Sequence, residues 1–386
     1  MLFRKYIKIV SLICFTIIIC SCANNKKYIE LDTSEKDKYV ETIIDTKEKK
    51  ITTYKEFVND MSIVFSGDML MHTKLVDSIK INNQYRFERL FKDIEEDFDD
   101  VDFHVANVEA TIDPSKGVSG YPAFNSPEEI LGALKELKVN ALIGSHNHIL
   151  DTGFQGMEST LKIVEENGIS KVGIGMPSED KSLILEKDKI KTGILAYTYG
   201  TNIGQAYEDY INYIHKEKIK NDIISLKNSE CNFIIVYLHM GTEYVRDVEK
   251  NQQELVNYIV ELGADAIICS HAHVPRKSEI ISGNGKDVYV NYGMGNFISN
   301  QNDPYTDIGT LSKLIIKEKN GEVFLHRAES IPVYRLRYGE EGNMVYKAVL
   351  VENLDLYNDV VEEGEIEFIK KVAEDLNLEY NSVKGK

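Results

Sequence analysis

The sequence has 386 residues, of which 43% are hydrophobic and 28% are charged, a composition typical of a globular protein with one large domain and additions. Its formal net charge of −17 at pH 7 excludes binding to nucleic acid or to an anionic membrane through a broad basic surface. Three of the five cysteines lie within the first 22 residues, so the other two cannot form a disulfide-rich framework.

The first 22 residues have the layout of an export signal. A basic start with Arg4, Lys5 and Lys8 precedes an apolar run, residues 9–20, that is short for a membrane span. Residues 19–22, Ile-Cys-Ser-Cys, resemble a bacterial lipobox, which predicts cleavage before Cys22 and lipid attachment to that cysteine. An uncleaved anchor is the alternative. Both interpretations place the domain on the extracytoplasmic face of a bacterial cell membrane.

Three further segments are predicted after this signal. Residues 23–60 are polar and weakly periodic, which indicates a tether with one candidate strand or helix near Tyr54–Val58. Residues 61–305 are predicted to form the main domain. Residues 306–386 are predicted as a β-rich extension and terminal helix that complete this domain.

Strand and helix patterns alternate along the main domain. In chain order, strands are predicted at residues 62–68, 101–108, 141–144, 172–175, 193–197, 232–238, 264–270 and 287–292. Helices are predicted at residues 86–100, 126–138, 154–167, 208–225 and 251–262, followed by β-rich residues 309–351 and a helix at 364–377. This alternation predicts an α/β fold.

Polar side chains recur where the predicted strands end. They are Asp68, Asn107, Glu109, Asn147, His148, His239, His271 and His273. In open α/β sheets the functional crevice lies beyond the strand ends, so we expect these residues to meet there. In an extended chain, side chains two residues apart point to the same side, so we expect those of His271 and His273 to converge. This mixed N/O ligand set suits Mn, Fe or Zn better than Ca²⁺ and suffices for two divalent ions.

The order and spacing of these motifs resemble the CapA/PgsA poly-γ-glutamate capsule synthesis proteins, of the calcineurin-like metallophosphoesterase superfamily. The motifs are Gly67-Asp68, Asn107-x-Glu109, Asn147-His148-x-x-Asp151-x-Gly153, His239-x-Gly241-x-Glu243-Tyr244, His271-x-His273-Val274 and Gly295-Asn296-Phe297. The resemblance extends from about Ile63 to Gln301. It implies a four-layer α/β/β/α sandwich with a metal-centred site at one sheet edge.

The resemblance also implies residue roles. The implied metal ligands are Asp68, Glu109, Asn147, His239, His271 and His273, with Glu109 in the place of a bridging aspartate. His148 matches a histidine that contacts phosphate and can protonate a leaving group, and Asp151 would orient it. Additional candidate metal contacts are His72, Asn107 and Glu243. Glu243 and Tyr244 are equally compatible with substrate contact and with a structural role.

Two positions depart from the family pattern. The superfamily's first motif is usually Asp-x-His, but Leu70 stands at that histidine position, and His72 is a candidate replacement. Relatives tend to have Gly-Arg where this chain has His72-Thr73. His146 replaces a more usual asparagine. It is either an extra ligand or a plain substitution, and we favour the substitution. His104, His215 and His326 lie outside the strand-end set and are predicted to be ordinary packing or solvent residues.

Three functions are compatible with these features. The first is a membrane-anchored capsule-synthesis protein with a dinuclear metal site, working with the membrane and with membrane-bound polyglutamate synthase subunits. The second is an independent extracellular metal-dependent phosphoesterase, in which His148 would assist departure of the leaving group. The third is a noncatalytic scaffold that kept the fold.

A disulfide between Cys231 and Cys269 is compatible with export but cannot be deduced from their spacing.

Overall fold

The computed structural model describes residues 27–30, 40–45, 50–55, 59–340 and 342–382, the first three ranges as backbone strands. The predicted signal, the lipobox and Cys22 lie outside the described residues. Within the described part of the chain, no helix has both the length and the apolar character needed to cross a membrane.

The strands and helices follow one another in a mixed order. The strands are β1 Lys27–Glu30, β2 Val40–Asp45, β3 Lys50–Lys55, β4 Asn59–Met69, β5 Lys80–Ile81, β6 Gln84–Tyr85, β7 Phe103–Val108, β8 Val139–Ile143, β9 Ser170–Val172, β10 Leu183–Lys187, β11 Ile190–Thr198, β12 Phe233–His239, β13 Ala266–Ser270, β14 Ser278–Gly283, β15 Lys286–Asn291, β16 Asn296–Ile298, β17 Ile308–Lys319, β18 Glu322–Glu340, β19 Asn343–Leu350 and β20 Leu378–Asn381. The α-helices are α1 Thr73–Ser78, α2 Glu88–Phe91, α3 Ile130–Glu136, α4 Gly153–Glu166, α5 Lys216–Asn228, α6 Lys250–Glu261 and α7 Glu363–Leu376. Short 3-10 helices span Glu95–Phe98, Asn147–Leu150 and Val351–Tyr357.

Two large sheets contain most of these strands. The first has the order β1-β10-β11-β12-β13-β15-β14, and the second β19-β18-β17-β4-β7-β8-β9. Strands β11, β12, β13 and β15 are parallel neighbours, as are β4, β7, β8 and β9. Since parallel strands end at the same edge, each sheet collects several carboxyl ends on one side.

The two sheets stack face to face. Ile63 and Phe65 of β4 share a hydrophobic cluster with Ile235 of β12 and Ile268 of β13, from the other sheet. The opposite face of the second sheet packs against α1, α2 and α3, and that of the first against α5 and α6. This arrangement confirms the predicted four-layer α/β/β/α sandwich, because each sheet buries one face against the other sheet and one against helices.

Three predicted helices differ from the observed ones. Residues 86–100 form only α2 and the 3-10 helix Glu95–Phe98, because Ile94 has a φ of −130°, outside the helical range. The predicted helix 208–225 begins only at Lys216. The preceding residues Ile211 and Tyr213 are buried and form β-bridges with Ile174 and Thr198. The predicted helix from residue 126 likewise begins later, at Ile130.

Strands occur at both ends of the described chain. In the segment predicted as a tether, β1 pairs in parallel with β10, and β2 pairs with β3. Towards the C-terminus, β17 pairs antiparallel with β4, and β18 and β19 continue the second sheet. The second sheet is therefore built from strands that are far apart in the sequence, since β4 and β17 are neighbours in it.

Candidate metal centre

The candidate ligands stand at the carboxyl ends of strands from both sheets. Asp68 is the penultimate residue of β4, Glu109 follows β7, and His239 is the last residue of β12. His271 and His273 follow β13. All five residues are at most 3% exposed. The stacking of the two sheets therefore brings residues more than 200 positions apart into one buried cluster.

The two histidines of the His-x-His motif converge differently from the prediction. Extended backbone was expected, but His271 has a φ of 91° and His273 a φ of 59°, both in the left-handed region. Their ring centroids lie 5.8 Å apart. A tight turn after β13, not strand alternation, brings the two imidazoles together. Such backbone strain is concentrated at functional sites.

The candidate ligands form three groups of atoms, and the first two share one carboxylate. Atoms of Glu109, His239 and His271 lie within 4.8 Å of one another, and so do atoms of Asp68, Glu109 and His273. Glu109 belongs to both groups and has two oxygens to offer. A third group joins His271 and His273 to Glu243, whose side chain is 40% exposed.

Several atoms of this cluster are buried without a hydrogen bond. Among the described residues, neither carboxylate oxygen of Glu109 has a partner, nor does Nδ1 of His239, His271 or His273. Glu109 Oε1 lies 3.3 Å from His239 Nε2, and Oε2 lies 3.9 Å from His273 Nδ1. Buried polar atoms are normally paired, so an unpaired carboxylate among imidazoles fits a bound divalent cation.

Asp68 is held in place by three donors. Asn107 Nδ2 donates to its Oδ1 at 2.7 Å, the Ser270 hydroxyl donates to the same oxygen, and the backbone N–H of His271 donates to Oδ2 at 3.1 Å. Burial favours a higher pKa of Asp68, but His273 and His239 hold this pKa well below its usual range. Asn107, a candidate ligand, thus orients Asp68, and Ser270 is an orienting residue that the sequence did not suggest.

The electrostatics of the cluster favour positive charge next to its two carboxylates and disfavour it on His271. Burial lowers the pKa of His273, yet the carboxylates of Glu109 and Asp68 raise it to about 9. Burial and the neighbouring His239 hold the pKa of His271 well below its usual value. The two carboxylates therefore attract a cation at the point where they meet the imidazoles.

Asn147 reaches the same cluster from the 3-10 helix after β8. Its Oδ1 lies 2.8 Å from His239 Nε2, beside the Glu109, His239 and His271 group. Its Nδ2 donates to Asn202 Oδ1 at 3.2 Å. Asn202 thus fixes the orientation of the amide, with the oxygen directed to the cluster.

His148 and Asp151 form a pair beside the cluster. His148 Nδ1 lies 2.5 Å from Asp151 Oδ2, and its Nε2 lies 4.0 Å from Glu109 Oε1. Asp151 also accepts from the backbone N–H of Phe124 at 2.7 Å and from Asn202 Nδ2 at 2.9 Å. Burial lowers the pKa of His148, but the hydrogen bond to Asp151 and the charge of Glu109 raise it overall. Because Nδ1 donates to Asp151, Nε2 faces the cluster, and it carries a proton in the imidazolium form that the raised pKa favours.

Neither His72 nor His146 joins the three groups of ligand atoms. His72 Nδ1 is 3.2 Å from the Leu70 carbonyl oxygen and 3.3 Å from the Asn300 backbone nitrogen. Leu70 is buried in the hydrophobic cluster under α1–α3. The position at which the superfamily has a histidine therefore contributes to the core here.

Arg276 supports the loop that carries Glu243, a role that the sequence did not suggest. Its buried guanidinium donates to Gln252 Oε1 at 2.7 Å, to Glu249 Oε2 at 3.2 Å and to the Thr242 carbonyl oxygen at 3.0 Å. A lone arginine after His-x-His carries no recognisable spacing signal, so only the folded loop shows its function.

Other predicted details concern the surroundings of the site. His104 is a packing residue as predicted, stacked on Phe98 with ring centroids 4.4 Å apart. Cys231 and Cys269 are buried, and within the described chain no disulfide joins them. Burial raises the pKa of the Cys269 thiol to about 12.

Comparison with known families gives a match over most of the main domain. The family described as "Bacterial capsule synthesis protein PGA_cap" matches residues 62–301, which include every ligand of the two groups. The chain is 26% identical over 300 residues to the PGA biosynthesis protein CapA of Bacillus subtilis (strain 168), covering 74% of this chain and 76% of that protein. It is 22% identical over 280 residues to the capsule biosynthesis protein CapA of Bacillus anthracis, covering 69% of this chain and 66% of that protein.

The chain is also similar to two solved structures. Haemophilus influenzae NAD nucleotidase (NadN) matches with a TM-score of 0.46 and 14% identity, over 85% of this chain and 65% of that one. The calcineurin-like phosphoesterase YfkN from Bacillus subtilis matches with a TM-score of 0.42 and 13% identity, over 81% and 99%. The chain thus spans less than two thirds of the nucleotidase.

Proposed function

Because the chain belongs to the bacterial capsule synthesis protein family, we propose that it takes part in the synthesis or export of a poly-γ-glutamate capsule. The family match over residues 62–301 and the two capsule biosynthesis relatives support this role. The polymer carries many carboxylates, and the chain has a net charge of −17. Contact between the two must therefore be local or mediated by cations, since like charges repel.

The proposed function includes a centre for two divalent metal ions. The observation that carries this proposal is that Glu109 belongs to both groups of ligand atoms. Asp68, Glu109 and His273 would hold one ion. The second ion would be held by Glu109, Asn147, His239 and His271. Mixed oxygen and nitrogen donors of this kind suit Mn, Fe or Zn.

A second candidate function is that of an independent extracellular phosphoesterase. The residues beside the centre favour it, because they are suited to hydrolysis. A pair of metal ions, when bound, supplies Lewis acidity and charge neutralisation for phosphoester hydrolysis. His148 places Nε2 at 4.0 Å from Glu109, and Asp151 holds its Nδ1. This is the arrangement of a general acid that protonates a departing alkoxide. A noncatalytic scaffold that kept the fold is the third function to be tested.

We place this activity on the extracytoplasmic face of the cell membrane, with lipid attached to Cys22. The basic start, short apolar run and lipobox-like ending of residues 1–22 support this location. Membrane-bound polyglutamate synthase subunits are the partners that we propose there.

Metal analysis of the purified protein tests the centre. The double variant His271→Ala, His273→Ala should lose bound transition metal to near background, because it removes ligands from both groups. The control is His215→Ala, an exposed histidine at the start of α5, which should retain the parent's metal content. Equal metal in the double variant and the parent would place any metal elsewhere.

Complementation tests the capsule role. A producing strain that lacks the gene should regain polymer with the parent chain but not with the double variant. Two results together would favour the independent phosphoesterase. The purified, metal-loaded protein would hydrolyse a generic phosphodiester, and deletion of the gene would leave the amount of polymer unchanged. Metal binding with neither hydrolysis nor a polymer phenotype would favour the scaffold.

A further inference from the structure

Two arginines stand side by side on strand β18, outside the region matched by the family. Arg335 and Arg337 are two residues apart in the strand, so their side chains lie on the same face of the sheet. Arg335 is buried at 5% exposure, whereas Arg337 is exposed. The pair therefore joins an enclosed guanidinium to one that faces solvent.

Among the described residues, both guanidinium groups hydrogen-bond only to neutral oxygens. Arg335 Nη2 donates to the Gln301 carbonyl oxygen at 3.2 Å, and its buried Nε has no partner among the described residues. Arg337 Nη1 donates to Asn302 Oδ1 at 2.6 Å and, more weakly, to Asn300 Oδ1 at 3.4 Å. The two positive charges thus lack the carboxylate partner that such groups usually have.

No carboxylate of the described residues forms an ion pair with either arginine within 4.0 Å, in a chain with 62 acidic residues. Asp307 is a neighbour of Arg335. Its backbone carbonyl oxygen accepts from the Arg335 backbone N–H at 2.7 Å, and its half-buried carboxylate acts on both arginines only from beyond ion-pair distance. Burying a cation without a paired anion is costly. This cost would be offset if an external anion completed the pair.

The arginines lie one loop away from the candidate metal centre. Gln301, which contacts Arg335, donates from Nε2 to the Tyr244 hydroxyl at 3.1 Å, and the Tyr244 ring lies 6.1 Å from the His273 ring. Asn300, which contacts Arg337, donates its backbone N–H to His72 Nδ1 at 3.3 Å. The 300–302 loop therefore links the arginines to residues that border the metal centre.

We propose that Arg335 and Arg337 form an anion subsite that binds a carboxylate or phosphate group of the ligand whose reacting part lies at the metal centre. This inference rests on the proposed function for the nature of that ligand. The guanidinium fork matches both anions, because its parallel N–H groups pair with two oxygens at once. The subsite would supply local positive charge for an anionic polymer on a chain whose net charge is −17.

Calorimetric titration of the full protein tests the subsite with two probes, inorganic phosphate and a short γ-linked glutamate oligomer. Arg335→Gln and Arg337→Gln should each weaken the binding of the recognised probe about tenfold, as expected for loss of a charge-assisted pair. The probe whose affinity falls identifies the anion as phosphate or carboxylate. Arg337→Gln keeps the test decisive if the buried variant fails to fold, since Arg337 is exposed.

Arg327→Gln is the matched control, because Arg327 is on the same strand but already pairs with Glu329 and Glu379. It should leave the affinity of both probes unchanged. The titrations are repeated without metal, so that failure of the metal proposal does not hide the subsite. No binding of either probe, unchanged affinity in both test variants, or an equal loss in the control would overturn the inference.

Discussion

Gly67 and Gly295 meet backbone to backbone beneath the candidate metal centre. The Gly295 carbonyl oxygen accepts a hydrogen bond from the Asp68 N–H at 3.0 Å, and it would lie only 2.1 Å from a Cβ at position 67. Gly295 itself has a φ of 69°, a conformation that glycine adopts without strain. The position of Asp68 therefore depends on two glycines that are far apart in the sequence.

We expect Gly67→Ala to destabilise the fold by about 1–3 kcal/mol, because the added methyl group forces two backbones apart. Displacement of Asp68 should also reduce the metal content of the protein. Urea denaturation and metal analysis measure the two effects. Gly117→Ala is the control, since a Cβ at that exposed position meets nothing within 4 Å. Similar urea midpoints for both variants would contradict this account.

His148→Ala should slow phosphoester hydrolysis without removing metal, because His148 lies beside the ligand groups and belongs to neither. General acid catalysis contributes about 10²–10⁴-fold, so a substrate with a poor leaving group should show a large loss of kcat. A nitrophenyl ester, whose leaving group needs no proton, should lose less. Equal losses on both esters with intact metal would instead indicate that His148 positions the phosphate.

Arg276→Gln should destabilise the protein by about 3 kcal/mol, because it leaves buried and half-buried acceptors around the 242–249 loop without their donor. Limited proteolysis should then cut this loop faster. Arg89→Gln is the matched control, since Arg89 is exposed on α2. If the urea midpoint of unfolding is the same for Arg276→Gln and the parent, the guanidinium does not hold the loop.

Cys22→Ala should abolish lipid labelling and release the protein from the membrane fraction, because the thiol of Cys22 is the predicted attachment point. The matched control is Cys20→Ala, which removes a neighbouring thiol and should leave labelling intact. Labelled fatty acid incorporation and cell fractionation measure the outcome. Persistent labelling of the Cys22 variant would exclude the lipobox interpretation.

The sequence by itself determined the α/β class and the residues of the candidate centre. Buried strands such as β4 and β12 carry unbroken apolar runs that end in polar residues, and this pattern is local in the chain. The family resemblance added the four-layer architecture, which the stacked sheets confirm. The sequence was less informative for residues 208–215, where an apparent helix pattern yields to β-bridges made by Ile211 and Tyr213.

Only the tertiary structure decided how the centre is assembled. The convergence of His271 and His273 depends on left-handed backbone after β13, and the sharing of Glu109 depends on the stacking of two sheets. Asn202, Ser270 and Arg276 orient or support the site, although none of them belongs to a recognised motif. The physical reason is that apolar periodicity and the polar residues at strand ends are properties of neighbouring residues, so the sequence shows them directly. Hydrogen bonds and close backbone contacts form between segments that are far apart in the chain, and their distance in space is known only from the folded structure.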